Sequence, residues 1–157
     1  MKFKLISIGK QHEKYIKDGV EDFTARIQKY YPAEWQIIAP PKNAATFSES
    51  ELKKAESLLV LSQLQKDDFL ILLDEKGKMI SSVELSALLQ QRANESSKKL
   101  VFLIGGAFGV DTALRDRANF TWSLSKLVFP HMLVRLLLAE QVYRACTIAR
   151  NEKYHHL

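Results

Sequence analysis

The 157 residues suffice for one domain with a sizeable core, and 46% hydrophobic content excludes a disordered chain. One cysteine, Cys146, excludes an internal disulfide and a Cys-rich metal site. A net charge of +5, from 23 basic and 18 acidic residues, leans modestly toward an anionic partner such as nucleic acid.

"KFKLISI", residues 2–8, reads as a first strand. The opening "MKFKLISIGK" is too short and too charged for a secretory leader, so the expected location is the cytoplasm. Ile16, Val20, Phe23, Ile27 and Tyr30 then recur at spacings of four and three, the stripe of an amphipathic helix. "EWQIIA" suits a second strand, stopped by Pro40-Pro41. After the loop "PPKNAATFS", Ser48 with Glu51 forms a capping box that opens a helix to about Gln65.

"FLILL", Phe69 to Leu73, has the length of a buried strand, and "DEKGK" is expected to turn the chain. Ser81 and Glu84 form a second capping box, for a helix to about Asn94. "LVFLI", Leu100 to Ile104, is a fourth strand, and the loop "GGAFGV" follows it. A short helix from Asp111, an extended "FTWSLS" and a long helix from about His131 to Ala149 complete the chain. Strands alternating with helices, two of them apolar on both faces, specify an α/β domain over residues 1–157. Its sheet is mainly parallel, with helices on both faces. The most apolar stretch, Met132 to Ala139, is interrupted by Arg135 and falls far short of the ~20 residues of a membrane span.

The glycine loop carries the first functional signal. Three of the six glycines, Gly105, Gly106 and Gly109, stand within five residues at the end of a strand. A dinucleotide-binding G-x-G-x-x-G would follow the first strand, and a P-loop would continue with Gly-Lys-Ser/Thr; neither pattern is present. In a parallel sheet, however, ligands bind beyond the carboxyl ends of the strands. There "LLDEKG", "IGGAFG" and "SLSKLVFPH" would converge. Together they offer main-chain donors and acceptors with apolar walls, and no Lys or Arg cluster for a triphosphate. The implied ligand is adenosine-like, apolar-walled and not strongly anionic.

"LIGGAFGV", "WSLSKLVFPHMLVRLLLAEQVYRACTI" and "NEKYHH", with "ILLDEKGK" upstream, closely resemble the bacterial ribosomal RNA large-subunit methyltransferase H family. That family belongs to the SPOUT class of S-adenosylmethionine enzymes. The resemblance covers the whole chain. It implies a C-terminal trefoil knot, which periodicity cannot reveal, and a homodimer that methylates N3 of a pseudouridine in a subunit-interface stem-loop of 23S ribosomal RNA. It further implies S-adenosylmethionine contacts at Leu73, Gly105, Gly106, Leu124, Ser125, Lys126, Leu127, Val128 and Phe129. Val128 stands where many relatives carry threonine, and His156 where Lys or Arg is usual.

Methyl transfer to an imide nitrogen needs positioning, and a group that takes the proton or a cation that steadies the anion. The candidates are His131, Arg135, Arg144, Tyr154, His155 and His156. Each has a plain structural alternative: a helix-start residue for His131, a solvated charge for Arg135, an ion pair with Glu140 for Arg144, a frayed terminus for the tail. No metal is expected, because adjacent histidines without a third ligand make a poor zinc site. The competing reading is a non-enzymatic RNA-binding module in which the glycine loop is a plain turn. The last helix, apolar nearly all round, points to burial against a second copy.

Overall fold

In the computed structural model, which describes residues 1–156, strands and helices alternate along the chain. They are β1 (Lys2–Ile8), α1 (Lys14–Ile27), β2 (Ala33–Ile38), α2 (Glu49–Leu61), β3 (Phe69–Met79), α3 (Ser82–Asn94), β4 (Lys99–Ile104), α4 (Thr112–Arg117), β5 (Phe120–Ser123) and α5 (His131–Ala149). Both capping boxes form, Ser48 with Glu51 and Ser81 with Glu84, and Asp111 caps α4 by accepting from the Leu114 N–H. The five strands make one parallel sheet in the order β2-β1-β4-β3-β5.

Alternate residues of the central strands feed two cores, as the period-2 pleat requires. Phe3, Leu5, Ile71, Leu100 and Phe102 pack on one face with Ile27 of α1, Leu85 and Leu89 of α3, and Leu138, Val142 and Ala145 of α5. Ile6, Ile8, Leu70, Leu72, Val101 and Leu103 pack on the other with Val60 of α2 and Leu114 of α4. The α/β class, the parallel sheet and its covering on both faces are therefore as the sequence specifies.

Three boundaries differ from the sequence reading. The α1 helix stops at Ile27, and Tyr30 lies in the turn beyond it. The α2 helix stops at Leu61 rather than near Gln65. "DEKGK" is not a plain turn: β3 runs through it to Met79, and a register shift between Leu73 and Lys78 sets Trp122 opposite both residues. The intervening residues bulge from the β3–β5 ladder, which bends a strand locally and re-aims its side chains. This bulge matters for the site, because it lies beside the ends of β4 and β5.

Candidate active site

The order β4-β3-β5 makes the segments after Ile104, Leu73 and Ser123 neighbours in space. They enclose a cavity of about 570 Å³ at the carboxyl ends of the strands. Leu73, Ile104, Trp122, Leu124, Phe129 and Val134 give it apolar walls. Gly105, Gly106, Gly109 and Ser125 bring main chain and small side chains to it. Its charged lining is mixed, with Lys53, Lys76 and Arg115 against Asp74 and Glu75, and Arg115 pairs with Asp74 at 3.2 Å. The volume and the mixture of apolar walls with polar main chain suit a nucleoside-sized ligand, and the Arg115–Asp74 pair keeps the charged lining from being an anion trap. Trp122 adds a buried indole Nε1 with no partner among the described residues. Together, the apolar walls, exposed main chain and orphan donor fit an adenosine-bearing methionine derivative.

The glycines of the loop serve separate ends. Gly109 has φ +81°, a left-handed conformation that side chains disfavour, and its N–H donates to the Gly106 carbonyl at 3.1 Å. Gly106 has no such φ; a Cβ there would lie 2.5 and 2.8 Å from the two carboxyl oxygens of Glu56 on α2. A side chain at 106 would therefore force the buried Glu56 carboxyl group to move.

Of the nine positions read as cofactor contacts, eight line the cavity: Leu73, Gly105, Gly106, Leu124, Ser125, Leu127, Val128 and Phe129. Lys126 belongs to the same loop, is exposed and does not line the cavity. Leu127 and Val128 are 71% and 83% exposed, an apolar rim open to solvent. Lys53 and Arg115 line the cavity without having been singled out in the sequence, and Phe108 lines it from the glycine loop. Lys53 comes from α2, which no local motif connects to the strand ends.

The six candidate catalytic groups separate into two sets. His131, the first residue of α5, lines the cavity, and its Nε2 lies 2.9 Å from the Gly105 carbonyl oxygen. A carbonyl only accepts, so Nε2 carries the proton and Nδ1 keeps a lone pair. Burial, and then the charge of Arg135, hold the imidazole below its ordinary pKa, and His131 is neutral near pH 7.

Arg135 is not the solvated charge the sequence allowed. It is fully buried, and Nη1 donates to the Lys10 carbonyl at 2.9 Å and to His12 Nδ1 at 3.2 Å. Its Nε and Nη2 lack partners, and no carboxylate pairs with it among the described residues. Arg135 thus ties the β1–α1 loop to the start of α5 without reaching the cavity.

Arg144, Tyr154 and His155 gather lower on α5, around Glu140, about 13 Å along the helix from His131 at 1.5 Å per residue. Arg144 Nε donates to Glu140 Oε1 at 3.0 Å, and the Tyr154 hydroxyl donates to the same oxygen at 3.1 Å. Arg144 Nη1 lies 3.3 Å from His155 Nδ1, and the guanidinium sits 4.7 Å from the centre of the Tyr154 ring. Asn151, with φ +55°, reverses the chain after α5, so the tail folds back on the helix instead of fraying. His156 is exposed, with no hydrogen bond among the described residues. Cys146 is buried, which pushes its thiol up to about 12 and leaves it inert.

Residues 1–155 match a family described as "Predicted SPOUT methyltransferase". The chain belongs to the SPOUT methyltransferase family. A relative from Cytophaga hutchinsonii, a ribosomal RNA large subunit methyltransferase H, is 46% identical over 156 residues, covering 99% of this chain and 100% of that protein. The protein of the same name from Clostridium acetobutylicum is 39% identical, covering 99% of each. Among solved SPOUT-like folds, a tRNA (m1G37) methyltransferase from Aquifex aeolicus aligns with a TM-score of 0.56 at 13% identity, over 100% of this chain and 76% of that one. A probable methylase family protein from Haemophilus influenzae gives the same TM-score at 9% identity, over 99% and 70%. These two likenesses concern the fold alone. Among the described residues, no group of three or more His, Cys, Asp or Glu is placed to hold a metal ion, and no helix is long and apolar enough to cross a membrane.

Proposed function

We propose that this SPOUT family member transfers a methyl group from S-adenosylmethionine to N3 of a pseudouridine in 23S ribosomal RNA, acting in the cytoplasm as a homodimer. One observation carries the reading. The three loops that the sequence singles out meet at one cavity, in a chain whose full-length relatives are large-subunit ribosomal RNA methyltransferases.

Leu73, Gly105, Gly106 and the segment Leu124 to Phe129 would hold the donor, with Lys126 contributing main chain only. When bound, S-adenosylmethionine supplies a methyl group whose bond to sulfur breaks as the deprotonated acceptor nitrogen attacks in line. The residues around it must orient the acceptor and remove its proton. His131 is the proton acceptor best placed for this in one chain, because it lines the cavity, is neutral and keeps a free Nδ1 lone pair. Arg135 contributes indirectly, through its positive charge beside that imidazole.

Arg144, Tyr154 and His155 cannot serve the same cavity from their own chain, since the Glu140 cluster holds them away from it. A second copy would bring them there. Met132, Leu133, Leu136 and Leu137 of α5 are only half-buried, and Leu127, Val128 and Phe108 are exposed beside the cavity. Covering that apolar surface is the physical reason for a dimer. The trefoil threading of residues beyond β4 belongs to the same reading.

Calorimetric titration with S-adenosylmethionine tests the donor site. Saturable binding with one site per chain is expected, and absence of binding at millimolar ligand would sink the enzyme reading.

A further inference from the structure

Glu56 is the buried acid that the proposed chemistry leaves unused. It lies in the middle of α2, is 5% exposed, and stands in the buried stripe with Ser57 and Val60. Among the described residues it enters no ion pair, and no hydrogen bond reaches its carboxyl group. Burial raises its pKa, with no charged neighbour contributing.

The carboxyl group lies directly against the glycine loop. The place where a side chain at 106 would begin is 2.5 and 2.8 Å from its oxygens and 3.0 Å from its carbon. In the glycine that place holds only a Cα hydrogen, so the carboxyl group can lie close against the backbone there. Three residues earlier on the same helix, Lys53 lines the cavity. The α2 helix therefore touches the site from behind the loop. Leucine or methionine would fill this volume without the cost of burying a polar group. The carboxyl offers instead a flat, short-reaching support, fitted to a residue with no side chain.

We propose that Glu56 is a positioning residue for the candidate donor site: its carboxyl group seats the Gly106 backbone and so sets the depth and aim of the loop that forms one wall of the cavity. The proposal rests on the donor-site reading above. It assigns Glu56 no contact with substrate and no proton transfer.

Four variants test it, with S-adenosylmethionine affinity read by calorimetry and KM and kcat read from methyl transfer. Glu56→Gln keeps the shape of the side chain and its contact with the loop, and affinity should stay within about threefold of wild type. Glu56→Ala removes the support, and Kd and KM for the donor should rise about tenfold while kcat at saturating donor changes little, the scale of a local packing defect. Gly106→Ala should weaken binding by about tenfold or more for the opposite reason, overcrowding. The double variant Gly106→Ala/Glu56→Ala should recover most of that loss, since the new methyl group enters the space vacated. Should Gly106→Ala fail to fold, the contrast between Glu56→Gln and Glu56→Ala still decides. Wild-type affinity in Glu56→Ala, or losses that multiply in the double variant, would overturn the proposal. No binding by the wild-type chain would instead refute the donor site itself.

Discussion

Removing residues 153–157 separates what the tail does for the fold from what it does for the reaction. Deletion takes away the Tyr154 ring, 4.6 Å from that of Tyr143, its hydroxyl bond to Glu140, and the contacts of Arg144 with the ring and with His155. The aromatic pair, the cation–π contact and the bond to a shared carboxylate sum to about 3 kcal/mol. Ordering the backbone of Lys153, Tyr154 and His155 costs about 1–2 kcal/mol each, or about 3–6 kcal/mol in total. The two sides nearly cancel. A tail docked so marginally can leave its own helix to meet RNA or a second copy. Thermal unfolding of the truncated protein should therefore move by no more than about 3 kcal/mol, below about 12 °C at this size. Donor binding should persist, because none of the described residues 153–156 lines the cavity. Methylation of ribosomes lacking the modification should be lost. Wild-type turnover by the truncated enzyme would refute a catalytic tail, and loss of donor binding would refute its separation from the cavity within one chain.

Further predictions concern the frame around the site. Gly77→Ala should lower stability by about 1–3 kcal/mol, because its Cβ would lie 2.7 Å from the Thr121 and Trp122 backbone, which cannot step aside; an unchanged melting temperature would contradict the bulge geometry. His12 and His131 both have pKa values held below 6.5 by burial and by Arg135, so the unfolded chain binds their protons first. Stability from these two groups is complete above pH 6.5 and is lost as pH falls through their folded values. Denaturant melts at pH 7.5 and 5.5 should show a smaller acid loss in Arg135→Met than in wild type; an equal or larger loss would remove Arg135 as the cause. Sedimentation at micromolar concentration should give a dimer, and a stable monomer would leave the apolar surface of α5 and the Leu127–Val128 rim unexplained.

Most of the frame was readable because local rules acted alone. Both Ser–Glu capping boxes and the Asp111 cap form where the sequence places them, and the apolar runs at 69–73 and 100–104 become central strands. Errors arose where tertiary pairing decided the outcome. "DEKGK" has turn composition, yet its pairing with β5 resumes at Lys78, and no local pattern encodes that shift. Arg135 was a catalytic candidate with a solvated charge as its alternative; its burial depends on the Lys10 carbonyl and His12, more than 120 residues away in sequence, which the sequence could not show. Glu56 was invisible for the same reason, since only contact with Gly106 distinguishes it from an ordinary helical glutamate. The cavity loops were legible because a parallel sheet collects the carboxyl ends of its strands at one edge. Which candidate catalytic groups share that edge was not legible: His131 does, whereas Arg144, Tyr154 and His155 lie around Glu140.

The central claim is methyl transfer to one ribosomal RNA nitrogen. It is tested most directly by incubating the protein and methyl-labelled S-adenosylmethionine with ribosomes from cells lacking the modification, then digesting the RNA to nucleosides for mass spectrometry. Label recovered as N3-methylpseudouridine from 23S RNA is the expected result. Label in a different nucleoside, or none in RNA despite measured donor binding, would contradict it.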